Sequence, residues 1–204
     1  MAVTIYDLKP RFQALLRPLV ARLAAAGVTA NQVTMFAALG SIVVGAYLWV
    51  AAERVWPFLL LPLWLFVRMA LNAVDGMLAR EFGQSSALGA YLNELGDVAS
   101  DAALYLPFAQ VAPFGPYSVG LVIVLACMSE MAGALGPMVG APRRYDGPMG
   151  KSDRAFIFAA LGLYVGMHGP LDQAMFWLMP AIALLIAWNI VNRVRRGMAQ
   201  SARG

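Results

Sequence analysis

The sequence predicts an all-α integral membrane protein, with six transmembrane helices preceded by an amphipathic interfacial helix. Three observations predict it: an excess of apolar residues, six apolar stretches of spanning length, and a lopsided distribution of lysine and arginine. Of the 204 residues, 61% are hydrophobic and 13% charged, whereas a soluble domain has about 45–50% and about 25%. Lipid must cover the difference. A spanning helix takes about 20 mostly apolar residues, so six spans with short connections occupy nearly the whole chain. Any chemistry is therefore done by the membrane domain itself.

Residues 1–30 read as a juxtamembrane helix and connector, 31–197 as the six-helix membrane domain and 198–204 as a cytoplasmic tail. The first segment carries Asp7, Lys9, Arg11, Arg17 and Arg22, too many charges for the apolar core of a signal peptide. Its Leu8, Phe12, Leu15, Leu16, Leu19, Val20 and Leu23 recur at helical spacing, which suits a helix lying in the headgroup region. Apolar segments then run approximately 32–52, 55–79, 86–111, 117–139, 153–168 and 172–192, separated by proline, glycine and charge. Thirteen of the fifteen basic residues fall on one side of these spans: Lys9, Arg11, Arg17, Arg22, Arg80, Arg143, Arg144, Lys151, Arg154, Arg193, Arg195, Arg196 and Arg203. Arg54 lies alone on the other side, and Arg68 lies within a span. That asymmetry predicts cytoplasmic N and C termini in the inner membrane, with any site facing the cytoplasm.

The remaining bulk properties mostly exclude. A net charge of +4, scattered along the chain, gives no nucleic-acid footprint. One cysteine, Cys127, rules out an internal disulfide framework or a multi-cysteine metal centre, and in its apolar run it reads as an inert buried thiol. Ionisable residues inside spans cost about 2.5–3.5 kcal/mol each on insertion scales and face a cavity or a partner. Here they cluster. Arg68, Asn72 and Asp75 recur at i, i+4 and i+7 in the second span, and Gly89, Asn93, Asp97 and Asp101 follow at four-residue steps in the third. Two helices joined by a short turn thus point carboxylates and amides at each other near the cytoplasmic surface.

The stretch NAVDGMLAREFGQSSALGAYLNELGD resembles the signature of the CDP-alcohol phosphotransferases, DxxDGxxAR, eight residues, then GxxxDxxxD. The matching positions are Asn72, Asp75, Gly76, Ala79, Arg80, Gly89, Asn93 and Asp97. VTANQVT, with Asn31 and Thr34, and GPMGKSDR, with Gly150 and Lys151, are similar to flanking elements of the same family, so the likeness covers essentially the whole chain. The resemblance implies a site in which one or two divalent cations, Mg²⁺ or Mn²⁺, grip the diphosphate of CDP-diacylglycerol or another CDP-alcohol. An acceptor hydroxyl attacks the lipid-bearing phosphorus and CMP leaves. By family position Asp97 is the general base, and Asn72, Asp75, Asn93 and Asp97 are the metal positions. Asn31, Thr34, Asn72, Asp75, Gly76, Ala79, Arg80 and Gly89 are the CDP-binding set. The resemblance also implies a homodimer.

Two of the four signature aspartates are asparagine, Asn72 and Asn93. Four carboxylates balance two divalent cations, but Asp75 and Asp97 alone supply −2, and an amide oxygen coordinates without charge. One resident metal, a second recruited with the diphosphate, or lost catalysis all follow from that count. Asp101, one turn deeper on the Asp97 stripe, is the better auxiliary ligand. Glu94 lies about 100° around the helix from Asn93.

Arg143, Arg144, Lys151, Arg154 and Arg193 suit topology and anionic headgroups, or a pocket for a phosphate on the acceptor, glycerol 3-phosphate being the simplest. Glu130 reads as a structural partner of Arg68, or as a wall of that pocket. Two further readings stand beside the enzyme. The acidic stripe also suits a small cation or proton transporter, and the two asparagines also suit a relative that binds a CDP-lipid or metal without turnover.

Overall fold

In the computed structural model the described residues are 5–201, with side chains from Phe12 onward. The expectations placed on Asp7, Leu8, Lys9 and Arg11 side chains and on Arg203 lie outside them. The described residues contain helices, turns and loops and no strand.

Helix α1 (Ile5–Ala25) turns its Leu16, Val20 and Leu23 onto Val33, Val74, Met77 and Leu78, and Val20 is fully buried there. Leu15 and Leu19 stay uncovered by protein, as a helix with one face on the bundle and another towards lipid requires. Arg17 pins α1 to the bundle through two hydrogen bonds to Glu81, at 3.1 and 3.0 Å. Gly27, at φ 77°, lets the chain reverse. A capping box then starts α2 (Ala30–Val50): Thr29 accepts from the Gln32 N–H, and the Gln32 side chain accepts from the Thr29 N–H.

A 3₁₀ turn at Trp56–Leu59 leads into α3 (Leu60–Glu81). A short turn then delivers α4 (Ala87–Tyr105), whose N-cap Ser86 accepts from the Gly89 N–H. Next come α5 (Gly115–Ala134), α6 (Lys151–His168) and α7 (Leu178–Ser201). Helix α2 packs on both α3 and α4, α5 packs on α7, and α3 on α6. The apolar core between them is anchored by Tyr105 stacked on Phe158, centroids 3.8 Å apart, with Phe108 edge-on at 5.2 Å. The expected inward apolar face of each span is thereby used, while Phe36, Leu63, Phe66 and Leu184 point out of the bundle.

The six expected apolar segments coincide with six long helices, α2 to α7. Four of them are long and apolar enough to cross a membrane: Ala30–Val50, Trp56–Glu81, Gly115–Ala134 and Gln173–Ser201. Helices α4 and α6 have 19 and 18 residues. Their low hydropathy comes from Glu94, Asp97 and Asp101 on one and Lys151, Asp153 and Arg154 on the other. The last helix also departs from expectation, running unbroken to Ser201, well past the end expected near 192 and into the expected tail. The reason is Arg193, which closes no span but sits inside the helix, 2% exposed, donating to the Ser129 carbonyl at 2.5 Å.

Candidate active site

One open cavity of about 810 Å³ lies where the starts of α2, α4 and α6 meet the end of α3. From α2 come Asn31 and Thr34; from α3, Asn72, Asp75, Gly76, Ala79 and Arg80; from α4, Gly89, Asn93, Glu94 and Asp97. All residues expected to hold CDP therefore line a single wall. The opposite wall carries Glu130, Arg143, Lys151 and Arg193.

Local geometry explains the glycines. A Cβ on Gly76 would lie 2.9 Å from the Arg80 guanidinium, which folds back over it, and a Cβ on Gly89 would lie 2.7 Å from Asn31 Oδ1. Both positions keep the backbone accessible beside polar groups. Gln84, which carried no signal in the sequence, ties the turn together: its Oε1 accepts from the Ala30 N–H at 2.7 Å and its Nε2 donates to the Val28 carbonyl at 3.4 Å.

The carboxylates divide into three situations. Asp75, 5% exposed, accepts from the Thr34 hydroxyl at 2.8 Å. Asp97 accepts from Arg68 at 3.1 Å and pairs with the Lys151 ammonium. Asp101 is turned away from the cavity, 4% exposed, between Arg68 at 2.6 Å and Arg154 at 3.2 Å. Asp101 is thus a structural ion-pair partner beneath the site, and its expected place as an auxiliary metal ligand is withdrawn. The four-residue stripe continues, but two arginines arrive at its last step first.

The basic residues are similarly sorted. Arg154, with a fully buried side chain, bonds Asp101, Glu130 at 3.1 Å and the Met149 carbonyl at 3.1 Å, and does not reach the cavity. Arg144 also misses it, donating to Asp146 at 2.7 Å and to Gln200 at 2.6 Å. Partial burial pushes the Asp146 carboxyl up, but hydrogen bonds from Arg196 and Arg144 outweigh it and hold the group below the usual carboxylate range. Glu130 does not meet Arg68. It gathers Arg154, together with Arg143 and Arg193, each at 3.5 Å. Arg68 is taken instead by the α4 carboxylates, one helix turn apart on the face it points to. Cys127 is half-buried against Val98, Tyr105 and Arg154, at a distance from this cavity.

The donor set can be tested for a metal ion. Among the described residues no group of three or more His, Cys, Asp or Glu side chains converges on one point. What faces the cavity is two carboxylates, Asp75 and Asp97, and two amides, Asn72 and Asn93. Oxygen donors alone suit a hard divalent cation, and a charge of −2 balances one such ion. The residues present fit one.

Six long helices around a cytoplasm-type signature cavity define a membrane-embedded transferase architecture of the CDP-alcohol type. The chain belongs to the CDP-alcohol phosphatidyltransferase family, whose model matches residues 27–189. It is 45% identical over 203 residues to the inner membrane protein YnbA of Escherichia coli, across 98% of this chain and 99% of the relative. A phosphatidylinositol phosphate synthase of Streptomyces avermitilis is 26% identical, over 93% of this chain and 82% of its own. The fold is that of the phosphatidylinositol phosphate synthase of Mycobacterium tuberculosis, solved with CDP-DAG bound, at TM-score 0.72 and 20% identity over 88% of this chain and 92% of that one. A second structure of that protein, in complex with manganese and citrate, matches at TM-score 0.72 over 89% and 88%.

Proposed function

We propose that this chain transfers the phosphatidyl group of CDP-diacylglycerol, or a closely related CDP-alcohol, to a hydroxyl of a small polar alcohol, releasing CMP. The observation that carries the reading is the convergence of every expected CDP-binding residue from α2, α3 and α4 on one wall of one cavity. The membership of the family and the CDP-DAG and manganese bound to its structural relative support the choice of donor and cation.

In this reading Asn31, Thr34 and Arg80 hold the nucleotide, while Gly76 and Gly89 let it approach the backbone. Asn72, Asp75, Asn93 and Asp97 hold one Mg²⁺ or Mn²⁺, which when bound offsets the charge that develops on the departing CMP. Asp97 takes the proton of the acceptor hydroxyl. To do so it must first lose Lys151, whose flexible stem lets the ammonium swing towards the acceptor side. All six long helices cross the inner membrane, both termini are cytoplasmic, the cavity opens to the cytoplasm, and two copies pair through their spans. Charges on α4 and α6 do not oppose insertion, because they point at one another inside the bundle.

A transport path is disfavoured by what lies beneath the cavity. Arg68, Asp101, Arg154 and Glu130 form a closed, mutually paired layer there. The purified protein in CDP-diacylglycerol micelles, given a panel of alcohols and divalent cations, is expected to release CMP. Retained CDP-lipid binding with no CMP under any condition would convert the reading to a binding module, and cation or proton flux in liposomes would convert it to a transporter.

A further inference from the structure

The acceptor side of the cavity is charge-compensated. Its two accessible cations are each already paired with an accessible carboxylate: Arg143, 25% exposed, with Glu94, 34% exposed, and Lys151, 28% exposed, with Asp97, 17% exposed. The third, Arg193, has only 2% of its side chain exposed and lies between the Ser129 carbonyl and Glu130. Glu130 is in turn shared with Arg143 at 3.5 Å.

A phosphate monoester needs several free, charge-assisted donors. Here it would have to displace Glu94 or Glu130 and would then face the carboxylate it displaced. A neutral hydroxyl both donates and accepts, so it can insert into an Arg–Glu or Lys–Asp pair without removing either partner. An amino alcohol meets the converse difficulty, because the carboxylates it would seek are held by arginines.

We infer that the acceptor is a neutral polyhydroxy alcohol, and that Glu94 is the specificity-determining residue that excludes its phosphorylated counterpart by neutralising Arg143. The inference rests on the transferase reading and narrows its acceptor. Glu94 acts by presenting a repulsive charge to the wrong ligand.

The test compares neutral polyols, glycerol and inositol, with their monophosphates, and with ethanolamine, on the manganese-loaded protein in CDP-diacylglycerol micelles. Acceptor binding is followed by calorimetry and turnover by CMP release. The wild type is expected to bind and use a polyol with a kcat/KM about tenfold or more above that of its monophosphate. Glu94→Gln is expected to shift that ratio about tenfold towards the monophosphate, mainly through KM, and Glu94→Gln with Arg143→Gln is expected to cancel the shift. A wild type that binds the monophosphate or ethanolamine more tightly, one that binds no acceptor, or an E94Q variant with an unchanged ratio overturns the inference. If no acceptor yields CMP yet calorimetry keeps the polyol preference, the transferase reading fails and the acceptor inference stands.

Discussion

Asp97 is the residue on which most of the site turns. It sits at the crossing of two systems, the cavity carboxylates and the buried ion pairs, and is touched by Arg68 from below and by Lys151 from the side. Asp97→Asn preserves the shape and one acceptor oxygen but removes the base. CMP release is therefore expected to fall by about 100-fold or more, the scale of general-base catalysis, while CDP-diacylglycerol binding measured by calorimetry is retained. Unchanged turnover would move the base elsewhere. Asn72 and Asn93 set a separate quantity, the charge available for metal. Converting both, Asn72→Asp with Asn93→Asp, raises the cavity carboxylates from two to four. Bound Mn²⁺ counted by electron paramagnetic resonance is expected to rise from one per chain to two, because the added −2 balances a second divalent ion. An unchanged count would break the link between carboxylate number and metal number.

At the level of helices, the apolar periodicity and four-residue polar stripes were sufficient to place all six long helices and the cavity wall built by α3 and α4. Sequence spacing reports which residues share a helix face, and Asn72, Asp75, Asn93 and Asp97 do share the faces expected of them. It does not report which opposite charge arrives from another helix. Asp101 was legible as an inward carboxylate but not as the partner of Arg68 and Arg154, and Glu130 was legible as paired but not with α6 and α7 arginines. The end of α7 was hidden for the same reason, since Arg193 looks like a membrane-flanking charge until Ser129 and Glu130 are placed beside it. Close helix contacts have a clearer local cause. Gly45 of α2 lies against the backbone of Ala103 in α4, so closely that a Cβ would overlap the Ala103 carbonyl. Because that obstacle is backbone and cannot rotate aside, Gly45→Ala is expected to cost about 1–3 kcal/mol, as overpacking does. The check is a lowered Tm in detergent together with weaker CDP-lipid binding, since α2 also carries Asn31 and Thr34. An unaltered Tm would mean that α2 and α4 are not held at this distance.

Across the whole molecule, the decisive question is whether α4 and α6 cross the bilayer with the other four. Counting only the four helices that qualify by length and composition leaves the two termini on the same side, so the ends alone cannot discriminate. The two ends of α5 can. If α4 spans, the chain reaches the start of α5 on the outer side and its end on the inner side; if α4 does not span, the two are exchanged. Tyr117 and Met138 mark these positions and are 93% and 80% exposed. In a Cys127→Ala background, Tyr117→Cys is expected to react with an impermeant maleimide on intact spheroplasts, and Met138→Cys only after permeabilisation. Basic residues agree with that orientation, because Arg143, Arg144 and Lys151 follow Met138 and none lies near Tyr117. The reverse labelling pattern would remove α4 and α6 from the membrane. It would also turn the loop carrying Arg143 outward, away from the cytoplasmic pool of CMP and alcohols on which the proposed reaction depends.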